Sequence, residues 1–94
     1  MESKIVRYRY HFTGMVQGVG FRYRAKYAAQ LLDLTGWVEN EWDGTVTGEV
    51  QGPSEMVDRW VPTITSGSSW IEIEHMERTE QPIRPKEHGF SIQG

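Results

Sequence analysis

Residues 5–22 read IVRYRYHFTGMVQGVGFR, and the stretch changes character twice. Up to Thr13 it alternates, with Val6, Tyr8, Tyr10 and Phe12 on one face and Ile5, Arg7, Arg9, His11 and Thr13 on the other. A period of two in β-branched and aromatic residues predicts a strand over 5–13 with one buried face. Three glycines in residues 14–20 then predict a loop. From Phe21 the spacing becomes i, i+4, i+7 and i+11 through Ala25, Ala28 and Leu32, which predicts an amphipathic helix to about Leu34.

Working outward, residues 35–41 form a second predicted strand, with Gly36, Val38 and Asn40 on one face and Trp37, Glu39 and Glu41 on the other. Asp43-Gly44 is a hairpin signal. It leads into a third strand over 45–51, where Val46 and Val50 share a face. Gly52-Pro53-Ser54 favours helix entry, and Val57, Trp60, Val61 and Ile64 make an apolar stripe. Pro62 lies within that stripe, so the helix is expected to stop or kink near Val61. A small-residue loop at 66–69 precedes an alternating strand over 71–74. Residues 79–88 read as a connection and 90–93 as a short last strand. The order β-α-β-β-α-β, with a fifth strand after it, predicts an α+β, ferredoxin-like split β-α-β sandwich: an antiparallel sheet with two helices on one face. That fold serves many functions, so the site has to decide the activity.

The 94 residues suit one domain, 1–94. Apolar types are 37% of the chain and 12% is aromatic, enough for one core between two layers. There is no cysteine, which excludes disulfides, thiolate metal sites and cysteine nucleophiles. Lys4, Arg7, Arg9 and His11 interrupt any apolar run of a signal peptide, and no stretch reaches the ~18 apolar residues of a membrane span, so a cytoplasmic location is expected. Net charge is −3, unevenly spread: residues 1–30 carry six bases and one acid, the remaining 64 four bases and twelve acids. A chain divided in this way is poorly suited to nucleic acid, but its basic third suits a small anion.

The loop at 14–20 has the means to hold one. Glycines allow successive N–H groups to turn into one concavity, and the next helix adds unsatisfied donors and the positive end of its dipole. Arg22 sits in the first helical turn, against that dipole, and an anion held between it and the loop would turn an unfavourable placement into a charge-assisted contact. The alternative is a plain tight connection with Arg22 in solvent. The loop lacks the Gly-Lys-Ser/Thr ending of a nucleotide-binding P-loop, and the strand order is not that of a dinucleotide-binding sheet.

Residues 14–22, GMVQGVGFR, resemble the acylphosphatase signature G-x-V-Q-G-V-x-F-R. Residues 35–40, TGWVEN, followed by Asp43-Gly44-Thr45-Val46, are similar to the second block of that family, G-W-V-x-N with its hairpin. Gln51-Gly52-Pro53 and Phe90-Ser91-Ile92 also sit where the family has similar residues, so the resemblance covers essentially the whole chain. It implies hydrolysis of the carboxyl–phosphate bond of acyl phosphates, without cofactor or metal. It further implies that Arg22 binds the phosphate, that backbone N–H groups of Gln17, Gly18, Val19, Gly20 and Phe21 form the cradle, and that Asn40 positions the attacking water. The implied partners are a small-molecule acyl phosphate and inorganic phosphate, with no nucleic acid or membrane, and the expected state is a monomer. Two departures stand out: Met15 replaces the family's usual Arg or Lys, and Pro62 lies inside the second helix.

The chemistry fits a site without an obvious base. A carboxylate is a good leaving group, so positioning and charge stabilisation outweigh proton abstraction, and a substrate phosphate oxygen could take the water's proton. His11, His75 and His88 are too scattered for a metal motif and read as surface or packing residues. The four tryptophans read as core or sheet packing, and the acids Glu39, Glu41, Glu49, Glu72 and Glu74 as a solvated face. The competing class is a non-catalytic anion-binding module, which would need the loop and Arg22 but not Asn40.

Overall fold

The computed structural model describes residues 4–93. The elements follow as β1 (Ile5–Met15), α1 (Phe21–Leu31), β2 (Thr35–Asn40), β3 (Val46–Pro53), α2 (Ser54–Asp58), α3 (Trp60–Thr65), β4 (Glu72–Glu80) and β5 (Phe90–Gln93). They build one five-stranded sheet in the order β4-β1-β3-β2-β5. β1 pairs antiparallel with β3 and β4, and β2 antiparallel with β3. β5 runs parallel to β2, from Gly36↔Phe90 to Glu39↔Gln93, so the sheet is mixed rather than wholly antiparallel. The crossover from β4 over residues 81–89 delivers β5 to the far edge in this direction. No helix among the described residues is long and apolar enough to cross a membrane.

The core lies between the helices and the face of β1 that carries Val6, Tyr10 and Phe12, all buried. Phe12 packs on Phe21 and Trp60 with ring centroids 4.9 and 6.0 Å apart, and Tyr10 meets Trp60 edge-on at 5.1 Å. Trp60 is fully buried and its indole Nε1–H donates to the Ala25 carbonyl at 3.0 Å, which pairs its polar atom and ties α3 to α1. Of the other tryptophans, Trp37 is half-buried below Arg9, but Trp42 and Trp70 are exposed, contrary to a packing role.

Several boundaries differ from expectation, and three of them have a clear local reason. α1 ends at Leu31 because Asp33 turns left-handed (φ 56°): the Asp33 and Leu34 N–H groups bond back to the carbonyls of Gln30 and Ala29, a Schellman closure that buries Leu34. The second helix breaks at Arg59, ahead of Pro62, and resumes as α3 to Thr65. Proline cannot donate to the Asp58 carbonyl and its ring crowds that oxygen, so the break falls upstream, and Pro62 then sits in a first turn where no N–H is needed. β4 runs on to Glu80, paired with Tyr8, although residues 79 and 80 read as connection. As an edge strand it is largely exposed and charged, so its apolar alternation is faint.

The other sheet face is not simply solvated. Arg7 and Glu49 are buried there, bonded at 2.7 Å, and Glu49 also takes Arg9 at 2.6 Å. Residues 81–89 lie across them. Glu87 pairs with Arg7 at 2.7 Å, and Gln51 exchanges hydrogen bonds with the backbone of Arg84 at 3.0 and 2.8 Å.

Candidate active site

β1 carries further than its alternation indicates because it enters the loop through a bulge at Thr13/Gly14. A Cβ at Gly14 would stand 2.2 Å from the Glu72 carbonyl oxygen, so the close approach of β4 requires glycine there. The chain then turns back, with the Val16 N–H on the Gly14 carbonyl at 3.0 Å. Gly18 and Gly20 both adopt left-handed backbone (φ 74° and 79°), the alternation that folds successive amides into a concavity. Gly20 is also the N-cap of α1 and offers no side chain to its first turn, which carries no acid either. The first turn of α1 therefore carries no side-chain cap, and its positive end faces the loop.

A cleft of about 200 Å³ opens at this point, lined by Val16, Gly18, Gly20, Phe21, Arg22, Tyr23 and Asn40. Arg22 projects from the first turn of α1, and Asn40 is the last residue of β2, paired with Val46 of β3. Two positions eighteen residues apart in sequence thus share one wall system. The buried Asn40 Oδ1 has no hydrogen-bond partner among the described residues. Such orphaned acceptors are uncommon and mark places where a water or ligand belongs.

Gln17 and Val19, expected in the cradle with Gly18, Gly20 and Phe21, do not line the cleft. The Gln17 side chain instead donates both Nε2 hydrogens across to the β2–β3 hairpin, to the carbonyls of Glu41 at 2.7 Å and Thr45 at 2.8 Å. The hairpin is itself held by Asp43, whose Oδ1 accepts from the Thr45 N–H and hydroxyl, and by His11 Nε2 2.9 Å from Thr45 Oγ1. These bonds from Thr45 keep the exposed Asp43 carboxyl below its ordinary range. The clamp from Gln17 escapes a reading of residue types, since its acceptors are backbone oxygens. So does Tyr23, an exposed aromatic in the cleft wall.

His11 is engaged with Thr45, His75 lies 3.4 Å from Glu77, and no group of three or more His, Asp or Glu among the described residues could hold a metal ion. Two residues beyond Arg22 on α1, Arg24 Nε donates to the Ile64 carbonyl at 2.6 Å and Nη2 to that of Ser66, placing a cation on the C-terminus of α3.

Residues 8–92 match the acylphosphatase family model. An acylphosphatase of Geobacillus thermodenitrificans is 42% identical over 79 residues, covering 84% of either chain. The crystal structure of acylphosphatase from Bacillus subtilis superposes with a TM-score of 0.86 at 34% identity, over 97% of this chain and 100% of that one. The fold also recurs in full-length HypF, solved in a phosphate- and nucleotide-bound form, with a TM-score of 0.83 at 25% identity over all of this chain but 12% of that one. Sequence and architecture agree over nearly the whole length, and the chain belongs to the acylphosphatase family.

Proposed function

We propose that the chain hydrolyses the carboxyl–phosphate bond of acyl phosphates, releasing a carboxylate and inorganic phosphate, with Arg22 and Asn40 as its two catalytic side chains. Family membership supports the reaction. The roles rest chiefly on one observation, the unpartnered Oδ1 of Asn40 on a residue that shares the cleft with Arg22. The N–H groups of Gly18, Gly20 and Phe21, which line the cleft, with the Arg22 guanidinium, bind the phosphate oxygens and carry the charge they develop. Gln17 and Val19 shape the loop that presents them. Asn40 Oδ1 accepts a hydrogen bond from water and fixes its oxygen for attack on phosphorus. The P–O bond to the carboxylate breaks as the new one forms, and the water's proton passes to a phosphate oxygen.

No side-chain acid is required, because the leaving carboxylate needs no proton near neutral pH, and no side-chain base, because a phosphate oxygen takes the water's proton. The substrate is a small molecule, and no step calls on a metal or cofactor. Hydrolysis of benzoyl phosphate in excess chelator, with inorganic phosphate competing, is the expected result. Phosphate binding without turnover would identify a non-catalytic anion module, and turnover only with added Mg²⁺ would exclude this mechanism.

A further inference from the structure

Beside the cleft, a groove of about 490 Å³ runs between α1 and α3, walled by Tyr23, Tyr27, Leu31, Ala28, Thr63 and Ser66. Tyr23 belongs to both cavities, so groove and cleft adjoin across one side chain. Tyr23, Tyr27 and Leu31 repeat at i, i+4 and i+8, and they are 72%, 64% and 63% exposed. A surface helix ordinarily turns its polar face outward. Here it presents an aromatic and aliphatic stripe to solvent over more than two turns. Arg24 also lines the groove, but its guanidinium is held by the carbonyls of Ile64 and Ser66 at the end of α3.

We propose that this groove binds the acyl group of the substrate, and that the enzyme acts on acyl phosphates with a large apolar acyl group. The inference rests on the reading of the cleft as the phosphate site. In phosphoryl transfer the attacking and leaving oxygens lie roughly in line across phosphorus. Asn40 Oδ1 is buried, whereas Tyr23 stands at the exposed rim. Water held at the floor therefore directs the carboxylate outward, past Tyr23. With a helix rise of ~1.5 Å per residue, Tyr27 lies about 6 Å and Leu31 about 12 Å further along. An acetyl group ends before Tyr27, while a long alkyl or aryl group lies along the stripe and loses apolar surface to it.

Methyl and octyl phosphate, the latter below its micellar concentration, read the groove without turnover. The expected result is octyl phosphate binding at least about tenfold more tightly than methyl phosphate to the wild-type chain. Tyr27→Ala with Leu31→Ala removes the stripe from positions outside the cleft with a good helix former. In that double variant the ratio should fall to about threefold or less, and KM for octanoyl phosphate should rise about tenfold with kcat within about twofold.

Equal ratios in both proteins overturn the proposal. So does tighter binding of a carboxylate-bearing alkyl phosphate than of octyl phosphate, or a wild-type dimer dispersed by the double variant, which would give the stripe to a second copy. Octyl preference without hydrolysis of any acyl phosphate would keep the groove and remove the catalytic reading; hydrolysis without octyl preference would do the reverse.

Discussion

Arg7 Nε donates to Glu49 Oε1 at 2.7 Å, and both side chains are buried on the sheet face away from the helices. Glu49 also accepts from Arg9, and Arg7 also donates to Glu87 of the covering segment. Burial pushes both carboxyls up, but hydrogen bonds from Arg7 to each, and from Arg9 to Glu49, outweigh it and hold them below the ordinary 4.5. A carboxyl with a lowered folded pKa contributes stability that is present above its unfolded value and lost as pH falls through the folded one. The denaturant midpoint should therefore be level above about pH 5 and fall below about pH 4.5. Glu49→Gln leaves Arg7 and Arg9 facing a neutral amide and should cost about 3 kcal/mol at neutral pH, with a flatter acid limb. A midpoint unchanged by Glu49→Gln would show that the buried pair is not stabilising.

Arg22→Gln removes a cleft-lining charge from the first turn of α1. Loss of one charge-assisted contact to a developing phosphoryl charge should lower kcat/KM by about 2–4 kcal/mol in transition-state terms, and phosphate affinity with it. Arg22→Lys keeps the charge without the planar fork and should recover only part. Near-normal kcat/KM in a folded Arg22→Gln chain would remove this residue from the mechanism.

The alternation of Val6 to Phe12 and the i, i+4 spacing from Phe21 were enough to place the strand, the loop and the helix, because each repeats over several residues with one buried face. The second helix was legible as a stripe interrupted near Pro62, but the break at Arg59 and the resumption as α3 were not, since where a proline breaks the chain depends on which upstream carbonyl it blocks. The direction of β5 and the burial of Arg7 were illegible: both follow from the path of residues 81–89, whose polar composition gives no period. At the site, Arg22 and Asn40 were picked by residue type and motif, and the cleft unites them. Gln17's clamp was hidden because side-chain-to-backbone bonds leave no mark on the partner's identity.

That clamp carries its own prediction. Gln17→Ala unties the loop from the hairpin that follows Asn40, so the two walls of the cleft lose their link. Stability should drop by about 1 kcal/mol, and kcat/KM by about tenfold from lost alignment. Gln17→Glu should be worse on both counts, because its carboxylate would face two carbonyl oxygens. A Gln17→Glu chain equal to wild type in midpoint and kcat/KM would show that the link is dispensable.

Asn40 separates catalysis from binding. In the proposed mechanism its amide holds water, while the loop and Arg22, on a different segment, hold the phosphate. Asn40→Ala should therefore bind inorganic phosphate about as tightly as wild type. Its kcat should fall by on the order of 10²-fold or more, as when an interaction made mainly in the transition state is lost. Stability supplies an independent sign. Because Oδ1 is buried without a partner, truncation removes an unsatisfied acceptor, and the folded state should be unchanged or up to about 1 kcal/mol more stable. A purely structural asparagine predicts the opposite on both axes: a lower denaturant midpoint with kcat preserved. One variant, measured for phosphate affinity, kcat and midpoint, distinguishes the two roles, and an unchanged kcat would return the chain to anion binding without catalysis.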